Sequence, residues 1–225
     1  MKKYVLVTSK SWHKKLFDDL LEYFPKNQWI LISDENSFSL IELKKIKPKF
    51  IFIPHWSKII PSEIYLNFEC ILFHMTDLPY GRGGSPLQNL IIKGHKKTKI
   101  SAIKVSKGID EGPIYLKAPL DLNGTAFDIF KRSSEVMYKM IIEIIENSIY
   151  PKPQKGQPTI FKRRHPKESD ISDLNSIDKI YDYIRMLDCE GYPNAFIEFN
   201  NIKYEFHNVK NNNNYLEANV RIKQN

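Results

Sequence analysis

Two short stretches of the sequence carry the side chains best suited to proton-transfer chemistry. Residues 70–75 (CILFHM) form an apolar run that predicts a buried strand, and His74 stands next to its end. Asp110 lies in a turn before a second predicted strand, residues 112–119. If these strands pair antiparallel, Asp110 comes within reach of His74. A carboxylate beside an imidazole fixes its tautomer and supports proton transfer, whereas His74 taken alone is more typical of a hydrogen-bonded core residue.

The loop that follows His74 has the composition of a ligand-binding turn. Gly81, Gly83 and Gly84 lie within four positions, and glycine lets the backbone approach a ligand closely. A helix predicted over residues 85–92 begins directly afterwards, and its first N–H groups are available to an anion. We therefore expect a ligand at this turn.

Alternating apolar runs and amphipathic segments predict the elements that position these residues. In the first half, apolar runs predict strands buried on both faces, and segments of helical periodicity separate them. This order is typical of an α/β fold with a mainly parallel sheet, which binds ligands at the carboxyl ends of its strands. Strands are predicted at residues 4–7, 29–32, 50–54 and 70–75, and helices at residues 12–24, 37–45 and 61–68.

The second half predicts further strands at residues 100–105 and 112–119, then the longest helix of the chain at 125–149. A Pro-rich connector, residues 151–158 (PKPQKGQP), follows this helix. We expect a main domain over residues 1–155 and a small subdomain over residues 156–225, formed by a linker, a helix and antiparallel strands. Those later elements are predicted at residues 177–187, 195–199, 202–206 and 216–222.

Composition limits the classes of protein to consider. The 225 residues are 42% hydrophobic and 27% charged, which is ordinary for a globular protein. Apolar runs fall short of the roughly 20 residues that a membrane-spanning helix needs. Cys70 and Cys189 provide neither a disulfide framework nor a metal-ligand spacing. We expect a soluble, cytoplasmic protein without a metal site or a membrane partner.

The basic charge of the chain raises the question of a polyanionic partner. Lys and Arg number 34 against 26 Asp and Glu, which gives a formal net charge of +8. The basic clusters are short, and a solvated surface explains most of them. We therefore do not expect a nucleic-acid partner, although the adjacent Arg163 and Arg164 suit bidentate contacts with a phosphate.

Taken together, the motifs resemble those of the folate-dependent formyltransferase family, which includes methionyl-tRNA formyltransferase-like enzymes. His74 is followed by Leu78–Pro79 and Arg82–Gly83, and residues 110–114 (DEGPI) begin 36 positions after the histidine. Residues 57–61 (SKIIP) look like the loop that lines the family's pterin pocket. Residues 184–196 are similar to the C-terminal subdomain of members that act on nucleotide-linked amino sugars. The resemblance implies a Rossmann-like formyltransferase fold with a small helix-and-β C-terminal subdomain.

The same resemblance implies formyl transfer from 10-formyltetrahydrofolate to an amine. His74 would stabilise the tetrahedral intermediate and move a proton. Asp110 would orient His74 or an intervening water and help bring the proton to the departing folate nitrogen. Asp77 either positions the acceptor or is a turn residue that caps its own backbone. The implied catalytic residues are His74 and Asp110, the implied cofactor-binding residues are Trp56, Lys58, Ile59, Ile60, Lys107 and Gly108, and the implied substrate-binding residues are Thr76, Asp77, Tyr80, Arg82 and Gly84.

The chain departs from the family pattern at Leu72, where members carry an asparagine that holds the formyl oxygen. Loss of one such donor costs about 2.7–4 kcal/mol, or roughly 10²–10³ in rate. Either another donor takes over, with Thr76, Gln88 and Asn89 as candidates, or the enzyme is slow or inactive.

Three branches of the family differ in the amine that they formylate. Glycinamide ribonucleotide enzymes carry a glycine-rich phosphate loop after the first strand, where this chain reads TSKSW at residues 8–12. Methionyl-tRNA enzymes have a larger C-terminal domain than residues 156–225 provide. Length and tail favour a UDP- or dTDP-linked 4-amino-4,6-dideoxy sugar used in glycan biosynthesis, which is the expected acceptor. The alternatives are a methionyl-tRNA formyltransferase-like enzyme and a lapsed formyltransferase fold that acts as a binding protein, and the tail strands could supply a homodimer interface.

Overall fold

The main sheet of the protein has six strands in a computed structural model that describes residues 1–224. These strands are β1 (Lys3–Thr8), β2 (Gln28–Ile32), β3 (Phe50–His55), β4 (Cys70–His74), β6 (Lys97–Lys104) and β7 (Ile114–Asp121), while the short β5 (Arg82–Gly83) lies outside this sheet. The spatial order is β2-β1-β3-β4-β6-β7. β1 pairs in parallel with β2 and β3, and β3 pairs in parallel with β4, so the predicted α/β fold with a mainly parallel sheet is confirmed.

One strand pairing differs from the sequence-based expectation. β6 lies antiparallel beside β4, with Ser101 opposite His74, and β7 follows β6 at the edge of the sheet. The pairing of the strand after Asp110 with residues 70–75, on which the approach of Asp110 to His74 was made conditional, is therefore not formed. In this inner position the apolar side chains of Ile100, Ala102 and Ile103 on β6 are buried, whereas most of β7, at the edge, stays partly exposed.

The strands at the centre of the sheet are buried because their apolar runs leave no polar face. Val5, Val7, Ile51 and Ile53 have almost no exposed surface and pack into one cluster with residues of the neighbouring helices. The helices are α1 (Lys14–Tyr23), α2 (Leu40–Ile46), α3 (Ser62–Tyr65), α4 (Pro86–Ile92), α5 (Ala126–Glu146) and α6 (Ile177–Arg185). α3 is half the length predicted for residues 61–68.

The chain divides into two compact units, each of which is discontinuous in sequence. The first unit comprises Met1–Gly83, Thr98–Leu120 and Lys131–Ile160 and holds most of the six-stranded sheet. The second comprises Gly84–Lys97, Asp121–Phe130 and Phe161–Asn225, of which the last residue lies outside the described range. The expected domain boundary after residue 155 stays a prediction.

The second unit contains a three-stranded antiparallel sheet that matches the strands predicted in the tail. β10 lies between the other two strands and packs against α6. The remaining strands of the chain are β8 (Ile160–Phe161), β9 (Ala195–Phe199), β10 (Ile202–Asn211) and β11 (Leu216–Gln224). Within residues 1–224, the helices are all too short or too polar to cross a membrane.

His13, which lies just before α1, is a buried histidine with a strongly shifted pKa. The side chain is only 1% exposed, and its Nδ1 lies 2.7 Å from Ser134 Oγ. Burial, together with the positive charges that His55 and Lys10 can carry, lowers the pKa of His13 to about 3. The imidazole is therefore neutral in the folded protein at ordinary pH.

The lowered pKa of His13 predicts that the folded protein loses stability in acid. Below a pH of about 6.5, His13 binds a proton in the unfolded chain but stays neutral in the folded protein. Protonation therefore stabilises the unfolded state, and the free energy of unfolding falls as the pH decreases towards 3. Between pH 7 and pH 5 we expect the wild type to lose roughly 2 kcal/mol more than the His13→Asn variant. Urea unfolding of both proteins at the two pH values measures this difference, and equal acid losses would contradict the prediction.

Candidate functional site

The structure brings His74 and Asp110 together within the first unit. Nδ1 of His74 lies 3.4 Å from Oδ2 of Asp110, and the two side chains are only 7% and 9% exposed. Nε2 of the same ring lies 2.8 Å from the carbonyl oxygen of Gly81. Because a carbonyl oxygen can only accept, Nε2 carries a proton. Nδ1, which faces the carboxylate, is therefore the ring atom that is available to accept a proton.

Asp110 reaches His74 from an unusual backbone conformation in the turn between β6 and β7. Its φ is +52°, in the left-handed region that few residues other than glycine, asparagine and aspartate adopt readily. Its Oδ2 also accepts a hydrogen bond of 2.9 Å from the backbone N–H of Gly83. The carboxylate thus links the turn to the loop that follows His74.

Ser101, a polar residue inside β6, anchors the loop that begins after His74. Its hydroxyl donates to the carbonyl of Thr76 over 2.7 Å and accepts from the N–H of Leu78 over 3.2 Å. Thr76 is completely buried, and its hydroxyl donates to the same Gly81 carbonyl that accepts from His74. Sequence reasoning missed Ser101, although a serine within a buried strand is a signal that a nearby backbone needs a partner.

Asp77 contacts two lysines on neighbouring strands. Lys117 on β7 donates to the Asp77 carboxylate and to the carbonyl of Leu78, and Lys99 on β6 lies 3.0 Å from the same carboxylate. Partial burial alone would raise the pKa of Asp77, but these hydrogen bonds outweigh it and hold the pKa below its usual range. Asp77 therefore carries a negative charge, which the two ammonium groups neutralise.

Residues 152–160, here named the strap, run beside both site loops and were predicted only as a turn-rich connector. At one end, Lys152 and Ile114 exchange backbone hydrogen bonds of 2.7 and 2.8 Å. At the other end, Thr159 accepts from Gly81 through its hydroxyl over 2.7 Å and from Arg82 through its carbonyl over 2.9 Å. Arg82 Nη1 also lies 3.2 Å from Glu111. A polar residue between prolines was the only sequence signal for these contacts.

The residues implied for the pterin pocket lie in the loops after β3 and β6. Trp56 is half-buried and packs edge-on against Phe38, with ring centroids 5.5 Å apart. Ile60 is buried in the core, whereas the neighbouring Ile59 is 85% exposed. Lys58 forms an ion pair with Glu35.

The second loop of this expected pocket contains Lys107 and Gly108. Lys107 is exposed, and a Cβ on Gly108 would lie 2.0 Å from the carboxylate of Glu111. Ile109 is 67% exposed, so each of the two loops presents an uncovered apolar side chain. Exposed apolar residues of this kind suit contact with a flat ring such as a pterin.

Tyr80 and Gly84 were expected to bind the substrate. Tyr80 is partly buried in the first unit, between Pro79 and Gly81. Gly84 belongs to the second unit, where an added Cβ would lie 2.6 Å from Cβ of Arg163. Only glycine fits at position 84 without movement of that arginine.

Leu72 is a strand residue of β4, two positions before His74, and packs against the core cluster. The amides proposed to replace the family asparagine are engaged within the second unit. Gln88 donates to the carbonyl of Met186, and Asn89 donates to those of Gly84, Ser85 and Lys162. Both therefore hold backbone in that unit, and the third candidate, Thr76 in the loop after His74, likewise donates its hydroxyl to a backbone carbonyl, that of Gly81.

Comparison with known proteins gives matches over both parts of the chain. A family profile described as Formyl transferase matches residues 13–145, which is more than half of the chain. A second profile, described as the C-terminal domain of methionyl-tRNA formyltransferase, matches residues 166–223. The methionyl-tRNA formyltransferase of Campylobacter lari is 31% identical over 176 residues, which cover 77% of this chain and 56% of that protein. The chain thus spans little more than half the length of the curated relatives that it matches.

Solved structures match over nearly the whole chain. Methionyl-tRNA formyltransferase from Clostridium thermocellum is 46% identical, with 100% of both chains covered and a TM-score of 0.98. A 4-N formyltransferase from Francisella tularensis is 18% identical, with a TM-score of 0.68. The match covers 88% of this chain and 93% of the Francisella chain. HypX from Aquifex aeolicus, solved with tetrahydrofolic acid, is 14% identical over 92% of this chain and 37% of its own, with a TM-score of 0.76. The last two likenesses concern the fold alone.

Proposed function

Because this chain belongs to the formyl transferase family, we propose that it moves a formyl group from 10-formyltetrahydrofolate to the α-amino group of methionyl-tRNA. The observation that supports formyl transfer is the buried pair of His74 and Asp110. The tRNA acceptor is supported by the full-length similarity to the Clostridium thermocellum protein and by the C-terminal profile match. The net charge of +8 is compatible with a polyanionic partner, although it does not by itself indicate one.

This acceptor revises two expectations from the sequence. Residues 156–225 were judged too few for the C-terminal domain of a methionyl-tRNA enzyme, yet the profile of that domain matches residues 166–223. The expected acceptor, a nucleotide-linked amino sugar, is supported only by the similarity in fold to sugar N-formyltransferases. A nucleic-acid partner, not expected from charge alone, therefore becomes part of the proposal.

The residues present fit the formyl donor. Ile59 and Ile109 are exposed apolar side chains, one in the loop after β3 and the other in the turn that carries Asp110, and a pterin would cover them. The donor supplies a formyl carbon that the amine attacks. Nδ1 of His74 accepts a proton from the attacking amine and Asp110 stabilises the resulting imidazolium. The same proton is then returned to the folate nitrogen as its bond to the formyl carbon breaks.

A panel of acceptors tests the proposal. The protein is incubated with 10-formyltetrahydrofolate and, separately, with methionyl-tRNA, uncharged tRNA, and UDP- and dTDP-linked amino sugars, and the products are analysed by mass spectrometry. We expect one formyl group on methionine released from methionyl-tRNA and none on the other acceptors. The sugars are included because the Francisella enzyme has a similar length, as 93% of it is covered by this chain. Formylation of a sugar alone would overturn the tRNA acceptor, and no formylation would overturn the activity.

A further inference from the structure

Gln154, in the strap, makes four hydrogen bonds with its side-chain amide. Its Oε1 accepts from Nε of Arg82 over 3.2 Å and from Nη2 over 2.9 Å. Its Nε2 donates to the carbonyl of Asp110 over 2.7 Å and to that of Gly112 over 2.9 Å. A single partly buried glutamine therefore uses both amide atoms to join two loops that lie about 30 residues apart in the chain.

The bonds to Asp110 and Gly112 hold the turn that aims the catalytic carboxylate. Asp110 has a φ of +52°, a conformation that an aspartate keeps only when its surroundings favour it. Gly112 lies so close to Lys104 that the turn has no room to shift towards β6. The Gln154 amide also holds the turn, because its two N–H groups bind the carbonyls of the residues before and after Glu111.

We propose that Gln154 is a positioning residue that keeps Asp110 against His74 during formyl transfer. The expected effect of Gln154 on the rate rests on the proposed function. Its expected effect on the position of Asp110 rests on geometry alone. Without the amide donors, the Asp110 carbonyl has no partner from the strap and the turn is free to rotate the carboxylate away from Nδ1. A displacement of about 1 Å in a catalytic group is enough to lower a rate by roughly 10²-fold.

Three variants separate this role from a merely structural one. Gln154→Ala removes all four bonds. Gln154→Glu has the same size and still accepts from Arg82, but it cannot donate to the two carbonyls. Gln157→Ala is the matched control, because Gln157 is an exposed glutamine of the same strap. Thermal melts of each variant establish that the protein is folded.

We expect kcat to fall roughly 10–100-fold in both Gln154 variants, with KM for each substrate within twofold of wild type and Gln157→Ala unchanged. Wild-type kcat in Gln154→Glu would overturn the proposal, because the contact with Arg82 would then be the one that matters. A rise in KM with an unchanged kcat would overturn it as well.

A second readout needs neither folate nor acceptor. In protein labelled with ¹⁵N-histidine, the ring nitrogen shifts of His74 report its contact with Asp110. We expect Gln154→Ala and Gln154→Glu to move these shifts towards those of Asp110→Asn, and Gln157→Ala to leave them in place. Unchanged shifts in folded Gln154 variants would overturn the positioning role. An inactive wild type with moved shifts would instead contradict the proposed function and leave the positioning intact.

Discussion

Replacement of His74 by alanine is expected to lower kcat/KM for formyl transfer by roughly 10²–10⁴-fold, the usual contribution of a positioned acid-base group. The ring is buried beside Asp110, and Nδ1, which faces the carboxylate, is free to take up a proton while Nε2 donates to the carbonyl of Gly81. Steady-state rates with 10-formyltetrahydrofolate and the acceptor that the panel identifies measure the loss. His95→Ala serves as the matched control, since His95 lies in the second unit.

Asp110→Asn isolates the charge of the carboxylate within the same pair. The asparagine oxygen can still accept from the N–H of Gly83, and asparagine tolerates a positive φ, so we expect the turn to keep its shape. Activity should nevertheless fall by roughly 10²-fold or more, because the imidazolium loses its stabilising carboxylate. Activity of either variant within threefold of wild type, in folded protein, would show that the reaction takes place elsewhere.

Gly112→Ala is expected to lower the free energy of unfolding by at least about 3 kcal/mol. A Cβ at this position would lie 1.6 Å from the carbonyl oxygen of Lys104, a separation that no pair of unbonded atoms can reach. The neighbouring Lys104 N–H donates to the carbonyl of Pro113 over 2.9 Å, so relief of the clash breaks a hydrogen bond between β6 and the start of β7. Urea unfolding followed by circular dichroism measures the effect.

Gly94→Ala is the matched control for that substitution. Gly94 has a φ of +80° but open space around its Cα, so alanine meets only backbone strain of roughly 1–2 kcal/mol. The two variants therefore compare a steric clash with a conformational cost. An equal decrease in the free energy of unfolding of both variants would mean that the turn at Gly112 can shift at little cost. That result would contradict the geometry.

The parallel part of the sheet was predictable because its strands are continuous apolar runs. Strands such as β1 and β3 are buried on both faces, so nearly all of their side chains are apolar. This composition can be recognised in the sequence without a structure. His74 and Asp110 were found for a related reason: each stands at the boundary of such a run, where a polar side chain is conspicuous. Their approach was considered only on the condition that the two strands pair, and the structure brings them to 3.4 Å with β6 between those strands.

The contacts that support the pair were not predictable from local sequence. Ser101, Lys117 and Gln154 act through partners 20 to 70 residues away, and no periodicity or short motif encodes such a distance. The connector around Gln154 also looked like a spacer, since prolines and a glycine exclude regular structure. Prolines here remove some backbone donors, and the side chains of Gln154 and Thr159 add bonds to those that the backbone of Lys152 and Thr159 forms.

The position of the strap in the sequence sets the order in which the parts of the site become available during synthesis on the ribosome. A nascent chain that has emerged as far as residue 150 already contains every strand of the main sheet, together with His74 and Asp110. It still lacks Gln154 and Thr159, and with them the bonds that join the two site loops. Translation of about ten further residues therefore separates a chain that contains the whole main sheet from one that also contains the strap.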